Sequence, residues 1–218
     1  MTAMTLVIGN KNYSSWSMRP WLTLTQVGAA FEEIVVPLDQ PETGEAIAAH
    51  SPSGKVPVLR DGALTVWDSL AIIEYLAERF PQAGVWPTAA NARAVARAVS
   101  AEMHAGFQAL RANMPMNIRA RFPGRGRADG VDADIARITA IWCDCRSRFG
   151  ADGPFLFGAF CAADAMYAPV VTRFQTYAVE LDPVSDAYAQ AVLNWPGVAA
   201  WCAAAAAEPW SQARYDNL

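Results

Sequence analysis

Histidine and cysteine are scarce in this chain, and the scarcity excludes chemistry that depends on them. Only His50 and His104 supply imidazoles, and the four cysteines, Cys143, Cys145, Cys161 and Cys202, all fall in the second half. Four thiols are too few for the disulfide framework of a small secreted fold, so reduced, buried cysteines are expected. Cys143 and Cys145 stand two residues apart on a helical pattern, which turns them to different faces and argues against a shared ion. No metal is expected. Basic residues show no excess, with 17 Lys and Arg against 21 Asp and Glu, so a nucleic-acid partner lacks its usual electrostatic footprint. No basic opening leads into an apolar run, and no apolar stretch reaches the roughly 20 residues of a bilayer span. A soluble, cytoplasmic protein with no membrane partner is the expectation.

What is present is a large apolar fraction, 53% of 218 residues, enough for a substantial core. Residues 1–80 mix short strand patterns with helical ones. Thr5–Gly9 predicts a strand, Trp16–Val27 a helix ended by Gly28, and Phe31–Leu38 a β-branched strand, which together make a βαβ unit. Val56–Leu59 and Leu64–Val66 flank Asp61-Gly62, a strong hairpin signal, and Ser69–Phe80 carries Leu70, Ile73 and Leu76 or Ala77 on one helical face. With Pro57 opening the third strand, the order predicts an α/β thioredoxin-like N-terminal domain. Residues 81–87 read as a linker, and 88–218 as an all-α C-terminal helical domain.

In that second part the pattern predicts helices at Asn91–Ile118, Ala133–Phe149, Ala162–Val179, Val184–Leu193 and Val198–Ala206. Arg119, Arg121, Arg125 and Arg127 sit among Phe122, Pro123, Gly124 and Gly126, and read as a solvated loop. Met103, Phe107, Leu110 and Met114 form one stripe. Such a stripe either packs into a core or presents an apolar wall to a ligand, and Met103, Phe107 and Met114 are the candidates for the second role.

Two segments carry the site chemistry. In Ser51-Pro-Ser-Gly-Lys-Val-Pro-Val-Leu59, Pro57 forces Val56 into extended geometry and tolerates a cis bond. With Pro57 cis, the Val56 amide and carbonyl turn outward, where an extended peptide ligand pairs as an added strand. Asp68-Ser69 heads a helix, where free N–H groups and a hydroxyl favour a carboxylate, while Lys55 faces a second one. The plainer alternative is that Gly54 and Pro57 shape a turn and Ser69 caps a helix.

These motifs resemble the cytosolic glutathione transferases over nearly the whole chain. Ser51–Leu59 is similar to that family's glutathione loop, Asp68-Ser-Leu-Ala-Ile72 with Tyr75-Leu76 to its acidic-Ser helix start, and Gly158–Ala165 to its signature in the second domain. The resemblance implies glutathione as co-substrate, held by Lys55, Val56, Pro57, Asp68 and Ser69, with Asp68 reaching its amine across a homodimer interface. Cys161 departs from the usual Ser or Thr cap, and a thiol accepts more weakly, so the cap toward Asp164 is expected to be weaker than usual.

Glutathione chemistry needs the thiolate, and one hydroxyl beside the sulfur is enough to shift its ionisation. The loop Asn12-Tyr-Ser-Ser-Trp-Ser-Met-Arg-Pro20 resembles the serine-type pattern of the zeta and theta classes, with Ser14 on their activating serine. Pro20 lacks an N–H and is best tolerated in the first helical turn, which predicts Ser17 as the cap and leaves Ser14 and Ser15 in the loop. Ser14 ranks first, Ser15 second and Ser17 third; Tyr13 is a rival, and helix capping alone is the alternative. With no cysteine before Cys143, the cysteine-dependent members are disfavoured, and Trp16 stands where the zeta pattern has cysteine. The reading is a glutathione transferase acting on a small hydrophobic electrophile. A glutathione-dependent cis-trans isomerase of the maleylacetoacetate type, and a noncatalytic binding protein, remain as alternatives.

Overall fold

A computed structural model describes residues 4–217. The first part runs β1 Met4–Gly9, α1 Ser15–Val27, β2 Phe31–Val36, α2 Thr43–Ala48, β3 Val58–Asp61, β4 Leu64–Trp67 and α3 Ser69–Arg79. The sheet order is β2-β1-β3-β4. β1 pairs parallel with β2, as a βαβ crossover requires, and antiparallel with β3, with Leu6 opposite Leu59. Val58 faces Trp67 and Asp61 faces Leu64 across the β3–β4 hairpin, whose turn uses Gly62 at φ 59°. This is the expected thioredoxin-like arrangement.

The period-two alternation of β1 divides its side chains between two cores. Leu6 and Ile8 join Met18, Leu22, Ile72, Ile73 and Leu76 from α1 and α3. Val7 goes the other way, with Val36, Val58 and Ile47 of α2. Each such fully buried aliphatic side chain contributes about 1.5–3 kcal/mol. Helix α2 was not anticipated because its short segment buries only Ile47 and so has no helical stripe to read.

The second part holds α4 Ala90–Ala105, α5 Gln108–Asn113, α6 Val131–Phe149, α7 Ala162–Tyr177, α8 Pro183–Asn194, α9 Pro196–Ala207 and α10 Ala213–Asp216. Helix α7 is buried along nearly its whole length and packs against α1, α4 and α8, which joins the two parts through one continuous core. The Asp164 carboxylate near its start accepts N–H bonds from Cys161 at 2.8 Å and Leu156 at 3.1 Å. Burial pushes that carboxyl up to about 6, against which the two N–H bonds act.

Two boundaries differ from the sequence-based expectation. The helix expected over Asn91–Ile118 is two helices: the backbone turns extended at Gly106, where a Cβ would stand 2.8 Å from the Glu102 carbonyl oxygen so that only glycine fits, and the next residue, Phe107, takes φ 60°. The chain therefore turns there and restarts as α5. Helix α1 begins earlier than Pro20 implied: Ser14, not Ser17, is the cap residue, and Pro20 lies inside the helix. The turn before it is closed by N–H bonds from Tyr13 and Ser14 to the Asn10 carbonyl, 3.2 and 2.8 Å, which start the helix without help from the proline.

Candidate functional site

Two cavities meet at Trp16, Lys55 and Val56. The first, about 510 Å³, is bordered by Lys55, Val56, Pro57, Asp68 and Ser69 together with Ser53, Trp16 and Trp67. All five residues expected to hold glutathione thus border one hollow. The Val56–Pro57 bond is cis. The β3–β4 ladder begins at Val58, so Val56 lies beyond it. Ser69 opens α3 and is 1% exposed, and its hydroxyl has no partner among the described residues. A buried, unpaired hydroxyl beside free helix N–H groups fits an anionic group such as a ligand carboxylate. Asp68, at φ 69°, caps α3 by accepting the Leu70 N–H at 2.8 Å, and its other oxygen lies 3.4 Å from His104 Nε2. Burial pushes the His104 imidazole below its usual value despite Asp68, so the ring is neutral at neutral pH.

The second cavity, about 410 Å³, is bordered by Tyr13, Ser14 and Ser15 on one side and by Arg111, Met116, Arg173 and Gln212 on the other. The serines differ in what their hydroxyls do. Ser14 donates to Ser17 Oγ at 2.7 Å, and Ser17 Oγ also accepts the Gly9 N–H at 3.1 Å. Ser15 Oγ instead accepts from Arg173 Nη2 at 3.3 Å, which leaves its own proton free. Ser17 is wholly buried and borders neither cavity. Tyr13 donates to the Asp216 carboxylate at 2.8 Å and accepts from Arg119 Nη2 at 3.0 Å and from the Gln212 N–H at 3.1 Å. Its phenol anchors the carboxyl-terminal segment.

Arginine dominates the electrostatics. Arg173 on α7 donates to the Met114 and Pro169 carbonyls at 2.9 and 3.2 Å, and Arg111 on α5 to the Gly106 and Met103 carbonyls. Arg19 on α1 is wholly buried, and none of its three side-chain nitrogens has a hydrogen-bond partner among the described residues. Its guanidinium lies 4.4 Å from the Trp16 ring centre, with that of Arg111 at 4.9 Å from the same ring. Burial first, and mutual repulsion second, depress Arg19 and Arg173, the latter to about 9. Burial likewise lowers Arg111, with Asp134 opposing it. The sequence reading missed this group because its members come from three helices; a lone Arg in each of two apolar helices was the available signal.

The apolar wall expected from Met103, Phe107 and Met114 is absent from both linings. Met103 and Met114 are fully buried and Phe107 nearly so, all in the main core: Met103 lies on α4, which packs on α7, while Phe107 and Met114 flank α5, which packs on α6. Met116, two residues past the stripe, borders the second cavity instead. The loop arginines Arg119, Arg121, Arg125 and Arg127 are all exposed, as expected of a solvated loop, and Arg119 also donates to Tyr13 and to the Glu208 and Trp210 carbonyls, the last two at 2.7 and 2.6 Å. Among the described residues no group of three or more His, Cys, Asp or Glu side chains is placed to hold a metal ion.

The chain resembles known proteins in both sequence and fold. Residues 13–79 match the family described as glutathione S-transferase, N-terminal domain. Over 63 residues the chain is 43% identical to dichloromethane dehalogenase of Methylorubrum extorquens, a match that covers 28% of this chain but 22% of the dehalogenase, so it spans about a fifth of that relative's length. It is 32% identical over 184 residues to glutathione S-transferase Z2 of Arabidopsis thaliana, covering 79% of this chain and 80% of that one. The fold is similar to a zeta-class bacterial maleyl pyruvate isomerase in its holo form, with TM-score 0.71 and 23% identity over 95% of this chain and 100% of the other. A relative matched over four-fifths of its length and the family's amino-terminal domain lying on the first cavity make the chain a member of the glutathione S-transferase family.

Proposed function

We propose that the protein holds glutathione in the first cavity and joins its sulfur to a small electrophile in the second. Lys55, Val56, Pro57, Asp68 and Ser69 take the tripeptide within a unit of residues 1–80. Residues 88–218, beyond a linker at 81–87, supply the co-substrate wall. Ser15 and Ser14 stand at the thiol. The observation that carries the reading is the hydroxyl of Ser15, whose oxygen is occupied by Arg173 and whose proton is therefore available to a sulfur anion. Ser14 can serve the same sulfur only by giving up Ser17, so Ser15 takes first place. The thiol proton leaves to solvent, and as the sulfur–carbon bond forms the bond from that carbon to its leaving group breaks, the leaving group departing to solvent as an anion with the electron pair.

The methionine stripe lies in the core and the second cavity presents Arg111 and Arg173, so the co-substrate carries a carboxylate rather than being purely apolar. The same arginines favour one second reading, cis-trans isomerisation of an unsaturated oxo acid. There the thiolate adds at the double bond, Arg111 and Arg173 hold the developing enolate, the single bond rotates, and elimination returns glutathione unchanged. Exposed Leu64 and Trp67 on edge strand β4, each 47% exposed, suit a second copy of the chain beside Asp68.

The test is the rate enhancement over the uncatalysed reaction of glutathione with iodoacetate and with iodoacetamide. A larger enhancement for iodoacetate is expected, and a larger one for iodoacetamide would refute the anionic co-substrate. Conversion of maleylacetone with no glutathione consumed would favour the isomerase. Failure to bind glutathione at millimolar concentration would remove the reading altogether.

A further inference from the structure

The carboxyl-terminal segment crosses the second cavity as a strap. Arg119 holds its beginning through the Glu208 and Trp210 carbonyls. Asp216 holds its end, accepting from Tyr13 and from Asn117 Nδ2 at 2.7 Å. Between these anchors the Gln212 N–H donates to Tyr13 Oη and to Asp216 Oδ2 at 3.0 Å, and its carbonyl accepts the Tyr215 N–H at 2.8 Å. The backbone of Gln212 is thus fully satisfied. Its side chain is not: Gln212 is 2% exposed and borders the cavity, yet neither Oε1 nor Nε2 has a hydrogen-bond partner among the described residues. Burying a carboxamide with both ends unpaired costs stability, and the cost is returned when a bound group pairs with it.

We infer that Gln212 reads a carbonyl group on the co-substrate, so that the preferred partner of glutathione is an oxo acid whose carboxylate meets Arg111 and Arg173 while its keto oxygen accepts the Gln212 Nε2–H. The inference rests on the anionic co-substrate proposed above and adds the second recognition point. A neutral amide suits a ketone because it donates without demanding charge, and a site built to pair a polar group discriminates against an analogue that lacks it. The strap supplies this reader from the end of the chain.

The experiment compares two unreactive acids, 4-oxopentanoate and pentanoate, titrated calorimetrically into the full chain saturated with glutathione. The two share carboxylate and length and differ by one carbonyl. The oxo acid is expected to bind about tenfold more tightly, the worth of one net hydrogen bond. In Gln212→Met that preference disappears while pentanoate and glutathione bind as before. If Gln212→Met does not fold, Gln212→Asn, whose amide is drawn back by one methylene, loses the preference in the same way. Equal binding of the two acids by the unaltered protein, or a preference that survives in a folded variant, overturns the inference while leaving the anionic reading intact. Binding of glutathione with neither acid bound overturns both.

Discussion

Replacing Ser15 by Ala removes one hydroxyl from the second cavity and separates the activation step from everything around it. A free thiol near pKa 8.5 is about 3% ionised at pH 7. A hydrogen bond donated to the charged sulfur, worth about 1.5–3 kcal/mol, lowers that pKa by about one to two units and ionises about a quarter to three quarters of it. Losing the bond therefore cuts the thiolate fraction, and with it the turnover rate, by about 8- to 25-fold at pH 7. The lower figure is the better expectation, because Arg111 and Arg173 remain and keep part of the electrostatic effect. Arg173 loses one acceptor but retains the Met114 and Pro169 carbonyls, so the fold survives the change. The assay is the ultraviolet absorbance of bound thiolate across pH, with the pH profile of the rate beside it. Above about pH 9, where the free thiol is mostly ionised in any case, variant and parent should converge. An unchanged titration in Ser15→Ala refutes the reasoning, and a shift in Ser14→Ala alone transfers the role to Ser14.

Tyr13→Phe removes the oxygen shared by Asp216, Arg119 and the Gln212 amide. It is expected to cost about 1–3 kcal/mol in denaturant unfolding and to speed hydrogen exchange in the last ten residues, with no shift in the thiolate titration. Ser69→Ala deletes a hydroxyl that bonds nothing within the described protein. Folding stability should move by less than about 0.5 kcal/mol, while the glutathione dissociation constant measured by calorimetry rises about tenfold. Asp164 holds its proton more tightly folded, at about 6, than its ordinary 3.8, so its contribution is fully present below the lower value and lost as pH rises through the higher. That loss is about 3 kcal/mol. The stability of the parent relative to Asp164→Asn should therefore fall by about that amount between pH 4 and 6.5 and stay level above, and a pH-independent difference would refute the assignment.

Much of the amino-terminal half was legible in the sequence because its signals are local. Alternation in Leu6-Val7-Ile8, the Asp61-Gly62 turn and the Asp68-Ser69 helix start each act within a few residues, and their period or turn chemistry is written in the chain itself. The residues around Lys55–Pro57 and Asp68-Ser69 were found for the same reason. The second cavity was not legible. Met103, Phe107 and Met114 recur at helical spacing in the sequence, but the chain turns between α4 and α5, and whether such residues meet solvent, ligand or core depends on helices α6 and α7 that come later in the chain. Arg19, Arg111 and Arg173 converge only after three helices have packed, and Gln212 reaches the hollow only because Tyr13, Arg119 and Asp216 tie the strap across it. Local pattern thus determined most of the elements of the first part and the loop that borders the first cavity. The charge of the second cavity was decided by tertiary packing, since charges distant in sequence interact through space and have no period to betray them.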